Sequence, residues 1–402
     1  MTRLAQLTAT AASVGLMATA SVTSALAQEA LAPFTVKGSD GVELTATPLA
    51  EFSSPWAMEF LPDGRAVVTE KEGKVWLLDG AGKKKAEIAN APRVAARGQG
   101  GMGDFVIHPD FAETGAVYLS YVQRDDSDDS LSGAVVERAT LSLEGDQPAL
   151  KDREIIWKQS PKVRGNGHYG HRLAVGPDGH LFITAGDRQK FVPAQNMDMS
   201  LGKVLRLNPD GSVPEDNPFV GRGGVSAQVW TLGHRNPLGM DFDAKGRLWV
   251  HEMGPRDGDE LNLIVRAENY GYPIVSNGKH YTGTEIPDHD DFPVYMQPGA
   301  YWVPAISPAG LAIYDGSLFK DWQGDGFIGG MSSTALIRVS FDDEKIDEYM
   351  SAGKERQKPG MAKEMARYSW DARIREVEEG PDGAIYVLED GDRLIKLTPP
   401  AE

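Results

Sequence analysis

The chain has 402 residues, 41% of them hydrophobic and 25% charged, which fits two average domains or one large all-β domain. It holds 45 Gly and 25 Pro but no Cys, so many short strands joined by tight turns are expected and a disulfide scaffold is excluded. A formal net charge of -17 disfavours nucleic acid and anionic membranes as partners and favours cations and neutral substrates. At the N-terminus, Arg3 precedes a small apolar run over 4–23, and Ala25-Leu26-Ala27 forms a small-x-small cleavage pattern before Gln28. Residues 1–27 therefore read as a secretory signal peptide, and 28–402 as the mature chain, placed in the periplasm or secreted. No later stretch is long and apolar enough to span a bilayer.

The next segment, 42–52, opens with strand-like alternation. From residue 53 onward one unit recurs: an alternating apolar run, a Pro/Asp/Gly turn, and a second strand rich in Val, Leu and Tyr. Its copies cover 56–69, 105–121, 173–184, 240–250, 311–329 and 377–387. The turns include Pro62-Asp63-Gly64, Pro177-Asp178-Gly179 and Pro381-Asp382-Gly383. Proline presets φ and glycine accepts positive φ, so each reverses the chain tightly. Runs such as 74–78, 203–207 and 335–339 offer a third strand. Repeats of this spacing predict an all-β, six-bladed β-propeller, with one blade per copy and few exposed edges. A β-sandwich would not explain the repetition. The segment 42–52 is expected to join the last blade and close the ring, and 281–301 is expected to be the long loop.

Polar, glycine-rich segments sit where these strands end. In Gly98-Gln99-Gly100-Gly101-Met102-Gly103 the glycines permit close backbone approach to a ligand. His168, in Gly167-His168-Tyr169-Gly170-His171-Arg172, precedes a strand, and its ordinary pKa suits a general base. Asp187 follows the next strand, so antiparallel pairing would bring it to His168 and let it fix the imidazole tautomer. The Gly233-His234-Arg235-Asn236-Pro237 loop sets a guanidinium beside an amide, a combination that grips carboxylates and carbonyls. Arg373 and Arg375 lie two apart and would share one face of a strand. In so acidic a chain they suit an anionic ligand or pairing with Glu376, Glu378 or Glu379. Residues 252–260 crowd carboxylates with turn carbonyls, as hard ligands for Ca²⁺ or as a solvated acidic turn.

Together these segments resemble the soluble pyrroloquinoline-quinone-dependent aldose dehydrogenases of the glucose/sorbosone dehydrogenase family, over about 53–397. The motifs that carry the resemblance are 168–173 with Gly186-Asp187, the 233–236 loop, and Gly254-Pro255 through 259–264 to Asn269-Tyr270-Gly271. The resemblance implies a propeller with the quinone on one face and His168 as the base at the sugar C1 hydroxyl, oriented by Asp187. It implies Gln99, Arg235, Asn236, Arg373 and Arg375 as quinone-holding positions. The carbonyls of Gly254 and Pro255 are implied to hold a calcium on the quinone, and Glu260 and Tyr270 a second, structural calcium. The implied reaction is hydride transfer from C1 to the quinone, giving a lactone, with an aldose as substrate and an unidentified electron acceptor. A monomer or homodimer is expected. Two departures stand out. Some members have a Lys within the segment that here reads Gly329-Gly330-Met331-Ser332-Ser333, and Met253 stands where some have a polar residue beside the sugar. Tyr301 and Trp302 could wall a sugar face or belong to the core. A calcium-dependent lactonase and a non-catalytic ligand-binding propeller are the alternatives.

Overall fold

The computed structural model describes residues 32–145, 147–352 and 360–400. The signal peptide expected over 1–27 lies outside them. Among the described residues no helix is long and apolar enough to cross a membrane.

The six repeats become six antiparallel sheets. Their innermost strands are Pro55–Phe60, Met102–Ile107, Gly170–Val175, Pro237–Phe242, Pro308–Ile313 and Ile374–Glu379. Each packs against the next around one axis, the last against the first. The second strands follow the predicted turns: Ala66–Glu70, Ala116–Arg124, Leu181–Ala185, Leu248–Glu252, Gly326–Gly330 and Ile385–Glu389. This is the six-bladed propeller that the repeat predicts.

Apolar side chains fill the spaces between neighbouring blades. Between blades six and one, Tyr386, Leu388 and Leu394 meet Met58, Val68 and Leu78, all buried. Each such aliphatic side chain contributes roughly 1.5–3 kcal/mol. Polar bonds fix the blade-to-blade register. Thr69 Oγ1 donates to the Gly103 carbonyl at 2.7 Å, and Asp104 Oδ2 accepts from the Leu173 N–H at 2.7 Å. Thr184 Oγ1 donates to the Pro237 carbonyl at 3.2 Å, and Asp241 Oδ2 accepts from the Ile313 N–H at 2.7 Å.

The ring closes as the alternation over 42–52 predicts. Glu43–Glu51 pairs antiparallel with Arg393–Thr398, setting Thr45 opposite Thr398 and Glu51 opposite Arg393. Phe34–Lys37 adds a further strand outside it. The outer strands Lys84–Glu87, Val229–Leu232, Ala300–Trp302 and Ala362–Ser369 were not expected from the sequence. Lys84–Glu87 is almost wholly exposed and carries no alternation, whereas Val229–Leu232 alternates buried with half-buried positions over only four residues. The segment 281–301 is a long connection up to Gly299, interrupted by a turn of 3-10 helix at His289–Asp291. A helix over Asp343–Ser351 was also not expected; the Asp342 carboxylate caps it by accepting from the Lys345 N–H at 3.2 Å.

Candidate active site

The innermost strands all start at the same end of the ring, so the residues just before them converge. A cavity of about 370 Å³ opens there, on the axis, and all six blades contribute to its lining. Trp56, Gln99, Tyr169, His171, Asn236, Ser307, Arg373 and Arg375 come from the starts of the innermost strands. Lys71, Met253, Met331 and Asp390 come from just beyond the ends of the second strands.

His168 immediately precedes the lining residues Tyr169 and Gly170 and is held on three sides. Its Nδ1 lies 2.7 Å from Asp187 Oδ1, and its backbone N–H donates to Gln99 Oε1 at 2.6 Å. Its carbonyl accepts from the Arg188 N–H at 3.1 Å. Asp187, fully buried, also accepts the N–H groups of Gln189 at 2.9 Å and Phe191 at 3.1 Å. One carboxylate thus orients the imidazole and pins the turn that follows. The strand pairing expected from the sequence brings these residues together. Burial lowers the His168 pKa below its ordinary 6.5; Asp187 opposes this, while Arg235 and Arg188 add to it. The imidazole is therefore neutral near pH 7, with Nε2 available. His168 and Arg188 have φ of 51° and 56°, a strained region for non-glycine residues that the surrounding bonds stabilise.

The cationic side is equally built. Asp390 receives Arg375 Nε at 2.8 Å and Arg373 Nε at 3.0 Å. Burial pushes Asp390 upward, but the two arginines outweigh it and hold its pKa below the usual range. The arginine partner is Asp390, not the Glu376, Glu378 or Glu379 considered from the sequence. Arg235 donates Nη1 to the Met253 carbonyl at 2.8 Å. Glu252 accepts the Arg235 N–H and receives His234 Nδ1 at 2.9 Å, fixing the 233–236 loop from behind. Within this frame the Asn236 amide nitrogen and oxygen and Arg235 Nε are buried without partners among the described residues. Unpaired buried polar atoms at a cavity wall suit a polar ligand.

The implied site residues divide by depth. Gln99, Asn236, Arg373 and Arg375 line the cavity. Arg235 directly precedes Asn236, and Gly254-Pro255 directly follow Met253. The Gly254 N–H donates to Asp259 Oδ1 at 2.8 Å. Glu260 and Tyr270 sit deeper, behind the 233–236 loop. Glu260 faces Glu252 across the strands, Asn262 Nδ2 reaches both carboxylates at 3.3 Å, and Asn262 Oδ1 has no partner among the described residues. His289 donates Nε2 to the Tyr270 carbonyl at 3.1 Å, and its Nδ1 lies 3.8 Å from Glu260 Oε1. Among the described residues, no three His, Asp or Glu side chains converge as a metal-binding group.

Tyr301 and Trp302 do not wall this cavity. They lie in an outer strand of blade four and line a separate groove with Gln297 and Glu364. In the segment with the departure from the family pattern, Met331 faces the cavity, and Ser332 Oγ donates to the Ala305 carbonyl at 3.2 Å. Sequence reasoning missed Lys71 and Asp390, and took Glu252 for a calcium-ligand candidate or part of an acidic turn, not for the residue that fixes the 233–236 loop. A signal existed: an acidic residue recurs at the end of several second strands, as Glu70, Asp187, Glu252 and Glu389-Asp390.

Comparison with known proteins agrees with this architecture. The glucose/sorbosone dehydrogenase profile matches residues 52–396. The chain is 35% identical to aldose sugar dehydrogenase YliI of Escherichia coli over 351 residues, 86% of this chain and 90% of that protein. It superposes on the crystal structure of the soluble aldose sugar dehydrogenase from Escherichia coli in its apo form with a TM-score of 0.80 at 33% identity, covering 89% of this chain and 100% of that one. It superposes on the PQQ-bound aldose sugar dehydrogenase of Streptomyces coelicolor with a TM-score of 0.68 at 25% identity, covering 91% and 99%. With the repeat, the closed ring and the axial cavity in place, the profile match settles the assignment: the chain belongs to the glucose/sorbosone dehydrogenase family.

Proposed function

We propose that residues 28–402 form an exported pyrroloquinoline-quinone-dependent aldose sugar dehydrogenase, active in the periplasm or outside the cell, that oxidises the C1 hydroxyl of an aldose to the lactone. The observation that carries this reading is a neutral, carboxylate-oriented His168 beside a cavity whose wall combines two guanidiniums with an unpartnered amide. These residues fit a flat ligand bearing several carboxylates: Arg373 and Arg375 supply charge, Asn236 both a donor and an acceptor, and Arg235 a free N–H. The carbonyl oxygens of Gly254 and Pro255 fit a calcium on the quinone, and Glu260 with the Tyr270 carbonyl and Asn262 Oδ1 fit a second, structural calcium. When bound, the quinone supplies the hydride acceptor and calcium polarises it.

The protein's own part is to place and deprotonate the sugar. His168 Nε2 takes the C1 hydroxyl proton as hydride leaves C1, so the C1–OH of the already closed sugar ring becomes C1=O and the ring becomes a lactone. Asp187 keeps the proton on Nδ1 beforehand and stabilises the imidazolium afterwards. Gln99 holds the His168 backbone, and the cavity walls exclude bulk water.

The test is to purify the mature protein, add Ca²⁺ and the quinone, and follow dye reduction with several aldoses. Turnover should require both additions, and His168→Gln should lower kcat by about 10²–10⁴-fold. Lactone hydrolysis without quinone, or sugar binding without turnover, would replace this reading.

A further inference from the structure

Behind the catalytic loop lies a buried cation that the mechanism above does not use. Arg188 is 1% exposed, yet no carboxylate accepts a hydrogen bond from its guanidinium among the described residues. Its donors go mainly to backbone carbonyls. Nε bonds Gly167 at 2.9 Å, Nη2 bonds Gly165 at 2.5 Å, and Nη1 bonds Ser132 at 2.6 Å. Gln159 Oε1 at 3.4 Å and Ser132 Oγ at 3.5 Å complete the fork. The guanidinium lies over the Tyr169 ring, 3.7 Å from its centroid, and the Tyr169 hydroxyl donates to Gly165 at 3.2 Å.

Two of these carbonyls, Gly165 and Gly167, flank the segment that ends in His168, and the third belongs to blade two. Burial disfavours the Arg188 cation and the charge of the neighbouring Asp187 offsets this only in part, so holding a cation here is costly for a purely structural anchor. The planar fork does what no neutral side chain can: it spans two blades and fixes the 165–168 turn at several points. The backbone adds a further tie, from the Arg188 N–H to the His168 carbonyl at 3.1 Å.

We propose that Arg188 is a positioning residue for the reaction, a buried clamp that sets the distance and direction from which His168 Nε2 meets the substrate hydroxyl. The inference rests on His168 being the base. It also gives the cation an electrostatic role, since Arg188 is among the groups that lower the proton affinity of His168.

Arg188→Met and Arg188→Lys test it in the quinone- and calcium-loaded enzyme and in the apoprotein. Arg188→Met should lower kcat by about 10–100-fold while the quinone Kd stays within about threefold. It should also move the acid limb of the kcat/KM profile to higher pH, and the His168 imidazole titration, followed by NMR in the apoprotein, should shift the same way. Arg188→Lys keeps the charge but loses the fork. Its titration should remain near that of the wild type, with an intermediate loss of kcat. A merely structural role would lower the melting temperature without moving either titration. Wild-type kcat in folded Arg188→Lys, or a His168 titration unchanged in Arg188→Met, would overturn the proposal. If Arg188→Met does not fold, Arg188→Lys decides alone by its kcat. Absence of aldose oxidation in the wild type would instead remove the dehydrogenase reading.

Discussion

At the scale of single residues, the candidate site holds one imidazole, His168, neutral and oriented by Asp187. Burial, Arg235 and Arg188 all disfavour its charged form, and Asp187 is the partner that favours it. The sign of a substitution follows. Asp187→Asn removes the charge, and with it the charge-assisted strength of the hydrogen bond, that raise the His168 pKa, so the acid limb of kcat/KM should move to lower pH. The same change frees the imidazole tautomer and the turn carrying Gln189 and Phe191, so kcat should fall by about 10²–10⁴-fold. A pH–rate profile of the variant checks both. His171, by contrast, stacks on Trp56 with ring centroids 5.0 Å apart, and burial pushes its pKa down to about 3. It stays neutral across the working range and serves as a wall of the cavity. Neighbouring histidines in one motif thus have separate tasks.

At the scale of strands and turns, the site depends on close backbone approach. A Cβ at Gly186 would come within 2.2 Å of the His168 carbonyl oxygen and 2.6 Å of its carbonyl carbon. Gly186→Ala must therefore displace the catalytic turn. The expected result is a stability loss of about 1–3 kcal/mol in denaturant titrations, with kcat reduced by more than the change in melting temperature alone suggests. Much of this level was legible in the sequence. Pro-Asp-Gly turns marked the first hairpin of three of the six blades, and adjacency in that hairpin paired His168 with Asp187. The partner of the two arginines was not legible. Asp390 lies 15 residues beyond Arg375; the antiparallel pairing that sets Ile374 opposite Glu389 brings it beside Arg373, and the register shift between Ile374 and Glu376 leaves Arg375 in reach as well. The nearer glutamates alternate along the strand, and Glu376 turns instead to Arg172. The outer strands escaped notice because rim positions such as Lys84–Glu87 are mostly exposed and carry no alternation. The clamp at Arg188 was hidden for a related reason: its partners are carbonyls, which every residue has.

At the scale of the molecule, the axis below the cavity is lined by acids. Glu59, Asp104, Asp241, Glu376 and Glu378 come from innermost strands of four blades, and Arg172 bonds both Asp104 and Glu376. Burial, followed by the charge of Asp104, raises the Glu59 pKa from 4.5 to about 8; burial takes Asp241 and Glu376 to about 7. A raised carboxyl pKa means the fold prefers the protonated form. The stability contributed by Glu59 is therefore fully present below pH 4.5 and lost as pH rises toward 8. Glu59→Gln keeps a neutral group of the same shape. It should match the wild type near pH 4.5 and exceed it by several kcal/mol at pH 9, about 1.4 kcal/mol for each unit by which the pKa is raised, as measured by urea unfolding.

The closing strand has a consequence of its own. Blade six takes Ile374–Glu379, Ile385–Glu389 and Arg393–Thr398 from the far end of the chain and Glu43–Glu51 from the near end. With no cysteine in the sequence, the two ends are joined there by strand pairing and packing alone. Contacts so distant along the chain form late and slowly, since the loop they enclose must lose its freedom first. Until that seam zips, six-fold convergence at the axis is incomplete, so Arg373, Arg375 and Asp390 cannot face His168. All six blades line the cavity, so it is complete only in the closed ring.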